Sequence, residues 1–207
     1  MKNILILGAA GRTGILLVEQ ALAAGYHVTA FIRSGDAALP AKDNVKTIVG
    51  DARNEADLKK AVEGQDAVVS TIGSSKPGDR VIAKSLHALI NVANQTGVKR
   101  VIVMSSFLAT KNFQPNIFVR TALKIMGTIV KDIHSGEDQL KASDLDYTIV
   151  YATRLTNEPL NPHYRVVAET EKVGATDSIA RADVAQFLLS QLTDPTYIKK
   201  SVLITDK

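Results

Sequence analysis

Three glycines near the start of the chain are spaced so that their backbone could hold a diphosphate. Gly8, Gly11 and Gly14 lie between a short aliphatic run and the first segment with helical periodicity. Gly8 permits a tight turn, Gly11 lets the backbone approach a phosphate, and Gly14 allows close packing of helix on strand. The N–H groups and dipole of the helix would then bind the phosphates. A turn that merely needs small residues is the alternative, but the strand and helix on either side favour a dinucleotide site.

The end of the second aliphatic run indicates which dinucleotide would bind. NAD-specific sites usually carry Asp or Glu here, which holds the ribose 2′-hydroxyl and repels a 2′-phosphate. This chain has Arg33, whose guanidinium can donate several hydrogen bonds to a phosphate, and Arg12 could approach the same phosphate from the other side. A solvated arginine at a strand end is the alternative for Arg33. The sequence predicts NADP(H) as the cofactor.

Further polar and small residues follow the carboxyl ends of other predicted strands. Asp51 is placed to accept a hydrogen bond from the adenine amino group, or else it caps a turn. Tyr151 could stack on the nicotinamide or the substrate, or fill the core. The remaining predicted cofactor contacts are Thr13, Ala52, Thr71, Gly73, Ser74 and Ser105.

Two residues in predicted loops could act on a substrate. Ser106 could orient or protonate an acceptor, or cap its own turn. Arg154 could attract an acidic arm such as a flavin phosphate or a propionate, or lie exposed in its loop. No tyrosine has a lysine four residues later, so ketone chemistry through a Tyr-x-x-x-Lys pair is not expected. Flavins, quinones and bilins are conjugated and need less acid assistance.

Short aliphatic runs alternate with helical segments along the chain, which predicts an α/β fold of three layers with a doubly wound parallel sheet. The predicted strands are residues 3–7, 27–32, 45–49, 66–70, 99–104, 146–150 and 200–204. The predicted helices are residues 12–24, 54–63, 79–96, 117–142 and 181–192. We expect one domain over residues 1–207, with substrate loops at 105–116 and 152–163, because both loops follow carboxyl ends of strands.

The composition narrows the class of protein. With 207 residues, 45% of them hydrophobic, the chain can bury one core, and its lack of cysteine excludes disulfides and thiolate metal sites. The net charge of +4 comes from scattered basic pairs, so no nucleic-acid partner is expected. Four histidines without short spacing predict no metal site. No apolar run near the start is long enough for export or insertion, so we expect a cytoplasmic protein.

These residues together resemble a known family. The Gly8/Gly11/Gly14 turn, the pair Ser105-Ser106, and the segments 145–150 and 178–185 are similar to those of atypical short-chain dehydrogenases of the NAD(P)H-binding, NmrA-like kind. Length and element order are most similar to the flavin reductase (NADPH) group, also called biliverdin-IXβ reductases. The resemblance covers nearly the whole chain and is looser over residues 107–165.

The resemblance implies a Rossmann fold with strand order 3-2-1-4-5-6-7 and NADPH across its carboxyl edge. It places the nicotinamide near residues 73–75, 105–107 and 151–154, and it makes Ser106 the active-site serine and Phe107 a substrate neighbour. Arg154 stands where this group has a histidine, and another family histidine falls near His134 without matching it. The substrate pocket is therefore not fully matched.

The leading hypothesis is a reductase that moves hydride from NADPH to a conjugated small-molecule acceptor. The alternative is a non-catalytic NADP(H)-sensing regulator of NmrA-like type, which the fold permits equally. A sugar-nucleotide epimerase is disfavoured because it needs the tyrosine base and a further substrate domain. The basic amphipathic segment 118–131 is expected to pack on the sheet or in a homodimer rather than on a membrane, so the protein would be a monomer or homodimer.

Overall fold

The computed structural model describes residues 2–35, 39, 44–73, 78–114 and 127–206. In these ranges the strands are β1 (Asn3–Leu7), β2 (His27–Ile32), β3 (Val45–Val49), β4 (Ala67–Ser70), β5 (Arg100–Ser106), β6 (Asp146–Ala152), β7 (Arg154–Thr156), β8 (Arg165–Val166), β9 (Ser178–Ala180) and β10 (Lys200–Thr205). The helices are α1 (Arg12–Ala23), α2 (Glu55–Val62), α3 (Val81–Thr96), α4 (Gly127–Lys141) and α5 (Arg181–Ser190), with a 3₁₀ turn over Phe107–Ala109.

Eight strands form one sheet in the order β3-β2-β1-β4-β5-β6-β10-β8. All neighbours are parallel except β10 and β8, which pair antiparallel. With β10 as the seventh predicted strand, the order 3-2-1-4-5-6-7 and the α/β class are confirmed. The direction of winding reverses between β1 and β4, which opens a crevice above their carboxyl ends.

The central strands are continuously apolar because both faces of the sheet are covered. In β1, Leu5 and Leu7 belong to the core under α2, α3 and α4, whereas Ile4 and Ile6 belong to the core under α1 and α5. Successive side chains of a strand point to opposite faces, so alternate residues enter different cores. β3 lies at the sheet edge instead, where Val49 is 57% exposed.

Regular structure extends into both predicted loops. Residues 105 and 106 end β5, and the 3₁₀ turn follows. In the second loop, β7 pairs in parallel with β9 to form a separate two-stranded sheet. Short strands of this kind form only when a distant segment supplies the partner, so local sequence did not indicate them. Residues 115–126 lie outside the described part, and with them most of the amphipathic segment and the start of the predicted 117–142 helix.

Over the described ranges, no helix combines the length and apolar character needed to cross a bilayer.

Candidate cofactor and substrate site

The glycine turn between β1 and α1 is closely packed. Gly8 has φ +77°, a left-handed conformation that favours glycine. A Cβ on Gly14 would lie 2.2 Å from the Gly8 carbonyl oxygen and 2.9 Å from Ala9 Cα, and one on Gly11 would lie 3.1 Å from the same oxygen. The Thr71 hydroxyl is 3.1 Å from the Leu7 carbonyl oxygen, which links the end of β4 to this turn. Each glycine therefore occupies a place with little room for a side chain.

The beginning of α1 is suited to an anion. Its N-cap is Gly11, which offers no side-chain cap, and its first turn contains no acidic residue. By contrast, α2 is capped internally, because Asn54 Oδ1 accepts hydrogen bonds from the N–H groups of Ala56 and Asp57. The uncapped N–H groups and the positive end of the α1 dipole would favour a diphosphate. The residues present here fit a dinucleotide cofactor.

A cavity of about 370 Å³ extends from this turn along the carboxyl ends of β1 to β4. Its lining includes most of the predicted cofactor residues, namely Gly8, Gly11, Arg33, Asp51, Ala52, Thr71 and Gly73. Thr13 and Gly14 are buried behind it in the first turn of α1. Ser74 lies outside the described residues. The tertiary structure thus brings residues from four strand ends into one groove.

Asp51 is engaged in the turn that follows β3. Its carboxylate accepts hydrogen bonds from the Arg53 backbone N–H at 2.9 Å and from the Arg53 guanidinium at 2.6 Å. These bonds lower the pKa of Asp51, and the charge of Arg33 adds to the effect. The turn-forming alternative is therefore realised, while the contact with adenine stays a prediction. Arg33 itself is exposed at the groove, where a 2′-phosphate would have access.

Arg12 does not share the groove with Arg33. It lines a separate depression between α1 and residues 157–160. Burial lowers the pKa of Arg181, and the positive charge of Arg12 lowers it further. The placement does not support the expectation that Arg12 and Arg33 hold one phosphate, because the first turn of α1 directs the Arg12 side chain toward α5.

A second cavity, of about 360 Å³, lies above the ends of β5 and β6. Its wall is mainly apolar, with Ile72, Ile82, Val103, Met104, Phe107, Leu108, Ile129 and Ile133. The polar groups on it come from Ser105, Ser106, Glu137, Thr153, Arg154 and Arg181. Ile72 and Gly73 line both cavities, so the groove and the second cavity meet at the end of β4. An apolar pocket with few polar groups beside a dinucleotide groove suits a flat organic substrate.

The predicted substrate residues line this cavity, and they differ in burial and in hydrogen bonding. Ser106 Oγ accepts a hydrogen bond from the Leu108 N–H at 3.4 Å, so it caps the 3₁₀ turn, as the structural alternative required. The hydroxyl proton of Ser106 is not used in that bond. Phe107 is 7% exposed and packs edge-on against Phe113 at 4.9 Å between ring centroids. Arg154 is exposed at the start of β7.

Tyr151 lies in the core rather than on the wall of either cavity. It is 7% exposed, and its hydroxyl donates to Glu137 Oε2 at 2.6 Å. Burial raises the pKa of this phenol, and the Glu137 carboxylate raises it further. The structure therefore favours the interpretation that Tyr151 fills the core over the one in which it stacks on the nicotinamide or the substrate. His134 is on the exposed side of α4, away from the described cavity lining.

Two charged residues on the wall of the second cavity were not predicted from the sequence. Glu137 is 1% exposed, and Arg181 is half-buried, with its Nη1 donating to the Thr156 carbonyl oxygen at 3.0 Å. A signal for Glu137 exists in the sequence, because Ile133, Glu137 and Leu140 share the i, i+4, i+7 spacing of one buried helix face. Nothing local marks Arg181, whose position depends on the pairing of β7 with β9.

Comparison with known proteins gives a consistent classification. Residues 8–195 match the model of a family described as NAD(P)H-binding. The UPF0659 protein YMR090W of Saccharomyces cerevisiae is 27% identical over 217 residues, covering 99% of this chain and 93% of its own. Many solved structures share the fold, and two are given as examples. A short-chain dehydrogenase/reductase from Veillonella parvula in complex with NADP has a TM-score of 0.82, 22% identity and coverage of 98% and 94%. ChuY from Escherichia coli O157:H7, described as an anaerobilin reductase, has a TM-score of 0.81, 24% identity and coverage of 98% and 96%.

Proposed function

The chain belongs to the NAD(P)H-binding family, and we propose that it is an NADPH-dependent reductase that transfers hydride to a conjugated acceptor such as a flavin, a quinone or a bilin. One observation supports this most directly: the dinucleotide groove and the apolar cavity meet at Gly73. A cofactor held by the glycine turn would extend toward that junction. The apolar cavity would then receive a flat acceptor beside it.

The choice of NADPH depends on Arg33. In the groove, the residue at the end of β2 is a cation, and the nearby Asp51 carboxylate is already bonded to Arg53. A 2′-phosphate therefore meets one available guanidinium and no unpaired carboxylate among the described lining residues. The NADP complex of the Veillonella parvula protein shows that the same fold accommodates this cofactor.

The protein's main contribution to the reaction would be positioning. When bound, NADPH supplies the hydride. The apolar wall excludes water from the meeting point of the two rings, and holding them in contact removes much of the entropic barrier. Among the described residues, the Ser106 hydroxyl has no acceptor for its proton, so it could donate a hydrogen bond that orients the substrate acceptor. No tyrosine–lysine pair is needed, because a conjugated acceptor delocalises the arriving electron pair.

Two arginines favour an acceptor with an acidic arm. Arg154 and Arg181 both line the second cavity, whereas its described lining contains one carboxylate, Glu137, which is bonded to Ser105 and Tyr151. Guanidiniums form strong hydrogen bonds with phosphate and carboxylate groups. A flavin phosphate or a bilin propionate would satisfy them. The name anaerobilin reductase, given to ChuY, suggests the same class of substrate.

The second cavity also separates this proposal from the regulatory alternative. A reductase requires an acceptor pocket beside the groove, whereas sensing NADP(H) alone requires only the groove. We also propose that the reductase is a single domain that lies in the cytoplasm and works as a monomer or homodimer. Cell fractionation can test its location, and light scattering can test its oligomeric state.

The experiment is a panel assay of NADPH and NADH oxidation with FMN, FAD, quinones and bilins. We expect turnover with at least one acceptor and a preference for NADPH. Ser106→Ala should lower kcat/KM for that acceptor, while Ser135→Ala on α4, outside the described cavity lining, should not. Tight NADPH binding without turnover of any acceptor would refute the reductase and favour the sensor.

A further inference from the structure

Glu137 is a buried carboxylate on the wall of the apolar cavity. It is 1% exposed, yet it lines the space into which the acceptor is proposed to bind. The Ser105 hydroxyl donates to its Oε1 at 2.6 Å, and the Tyr151 hydroxyl donates to its Oε2 at 2.6 Å. Burying a carboxyl group beside aliphatic side chains costs free energy unless its bonds compensate. Its position therefore needs an explanation.

A purely structural role is already filled by another carboxylate of α4. Asp132 is 4% exposed and accepts hydrogen bonds from the backbone N–H groups of Ile82 and Ala83, both at 3.0 Å. These bonds anchor α4 to the start of α3. Backbone N–H groups only donate, so Asp132 is held as an acceptor. Glu137 is held differently, because two of its partners are hydroxyls and the third is the Lys141 ammonium, which donates to Oε2 at 3.4 Å.

Hydroxyl partners give Glu137 a property that Asp132 lacks. A hydroxyl can donate or accept, so Ser105 and Tyr151 can remain bonded to Glu137 whether it is protonated or ionised. Ser105 also lines the cavity, beside Ser106. On the other side, Lys141 Nζ lies 3.4 Å from Oε2, and the Lys141 side chain is 39% exposed. The carboxyl group thus connects the cavity with solvent through groups that exchange protons.

We propose that Glu137 is the proton donor to the reduced acceptor, an inference that rests on the proposed reductase function. Hydride arrives with its electron pair, so the conjugated acceptor gains negative charge on a ring nitrogen or oxygen. Glu137 takes a proton from the Lys141 ammonium, and the O–H bond so formed then breaks as a new N–H or O–H bond forms on the acceptor, either directly or through Ser105 Oγ. The hydroxyls of Ser105 and Tyr151 stabilise the carboxylate that is left. Solvent returns the proton along Lys141, so the cycle consumes one proton.

Charged and titratable groups around Glu137 come from four elements. Lys141 and the exposed Asp138 belong to α4, and the phenol of Tyr151 belongs to β6. Arg181 at the start of α5 lines the same cavity, as does Arg154 of β7. Replacing Glu137 changes the response of the rate to pH through these neighbours as well. The test therefore uses readouts that do not depend on pH alone.

The test compares Glu137→Gln with Asp138→Asn, which removes the neighbouring exposed carboxylate. For each we measure kcat with the best acceptor, the NADPH dissociation constant by fluorescence titration, and the solvent deuterium isotope effect. General acid catalysis contributes about 10²-fold or more, so Glu137→Gln should lower kcat about 100-fold. We expect the NADPH affinity to stay within about twofold, and Asp138→Asn to behave as the wild type.

Chemical rescue adds a readout that a structural role would not change. Glu137→Ala leaves a space on the cavity wall, and formate should restore part of its kcat, while Ser106→Ala should not respond to formate. If Glu137→Gln does not fold, Ser105→Ala takes its place and should lower both kcat and the isotope effect.

The outcomes separate this inference from the function on which it rests. The proton-donor role of Glu137 is overturned, and the reductase function is not, if the wild type is active and Glu137→Gln keeps the wild-type kcat. The same conclusion follows if formate does not raise the kcat of Glu137→Ala. If none of the tested acceptors supports NADPH oxidation by the wild type, both the proton-donor role of Glu137 and the reductase function are overturned.

Discussion

The close packing at Gly14 predicts a large effect from adding one methyl group. In Gly14→Ala the new Cβ would lie 2.2 Å from the Gly8 carbonyl oxygen, 2.9 Å from Ala9 Cα and 3.0 Å from the Ala9 carbonyl carbon. The first contact is roughly 1 Å shorter than van der Waals separation allows. All three neighbours are backbone atoms, so no side chain can rotate away. The helix α1 or the turn must move instead.

The expected cost follows from two opposing terms. Overpacking of this kind costs roughly 1–3 kcal/mol and occasionally more, and backbone contacts place Gly14→Ala at or above the upper end. Alanine is favoured over glycine within a helix by about 1 kcal/mol, which offsets part of the loss. We expect a net destabilisation of about 2–3 kcal/mol. For a chain of this size that corresponds to a fall in Tm of about 4–12 °C.

Thermal unfolding measures the loss of stability, and NADPH titration measures the loss of cofactor affinity. Moving α1 displaces its N–H groups from the diphosphate, so the dissociation constant should rise at least about tenfold, equivalent to about 1.4 kcal/mol. Gly174→Ala is the control, because among the described residues a Cβ there would meet only the Thr176 hydroxyl, at an ordinary 3.8 Å, and Gly174 does not line the groove. A Gly14→Ala protein with the Tm and NADPH affinity of the wild type would refute both the packing argument and the assignment of the diphosphate to this turn.

Three further predictions concern other sites. Arg33→Asp should weaken NADPH binding about 10-fold to 100-fold, since a charge-assisted hydrogen bond is worth roughly 1.5–3 kcal/mol. It should weaken NADH binding less. An unchanged ratio of the NADPH and NADH dissociation constants in paired titrations would contradict the role of Arg33. Asn54→Ala should lower the unfolding free energy by about 1 kcal/mol in urea denaturation, because it removes the cap that accepts from Ala56 and Asp57; no change would show that the cap is not formed. The folded-state pKa of Tyr151 is raised, first by burial and then by Glu137. The unfolded chain therefore ionises first, and the free energy of unfolding should fall as pH rises past the ordinary tyrosine pKa near 10. In Tyr151→Phe that fall should be smaller, and an equal dependence of the unfolding free energy on pH in both proteins would contradict the prediction.

The central part of the fold was predictable from the sequence. Continuous apolar runs such as Ile4 to Leu7 identify strands that are covered on both faces, and the glycine turn after β1 identifies a βαβ unit. Gly25, Gly64 and Gly97, which follow three predicted helices, all have positive φ. β8 and the β7–β9 pair were not predicted, because strands of two or three residues have too little periodicity to recognise.

The candidate site was predicted unevenly. Arg33, Asp51 and Gly73 line one groove, because each directly follows a parallel strand and such strand ends meet at one edge; their contacts with the cofactor stay predictions. Arg12 shows the limit of this reasoning. Its position in the glycine turn was evident, but the direction of its side chain depends on how α1 packs against α5.

The sequence by itself determined which residues end the strands, and hence the dinucleotide groove, since turn chemistry and apolar periodicity are local properties. Only the tertiary structure decided what surrounds the second cavity. Glu137 meets Ser105 and Tyr151 because α4 packs over the ends of β5 and β6, and Arg181 enters the cavity wall where β7 and β9 pair. Contacts between residues far apart in the chain depend on the packing of whole elements, which no local pattern specifies.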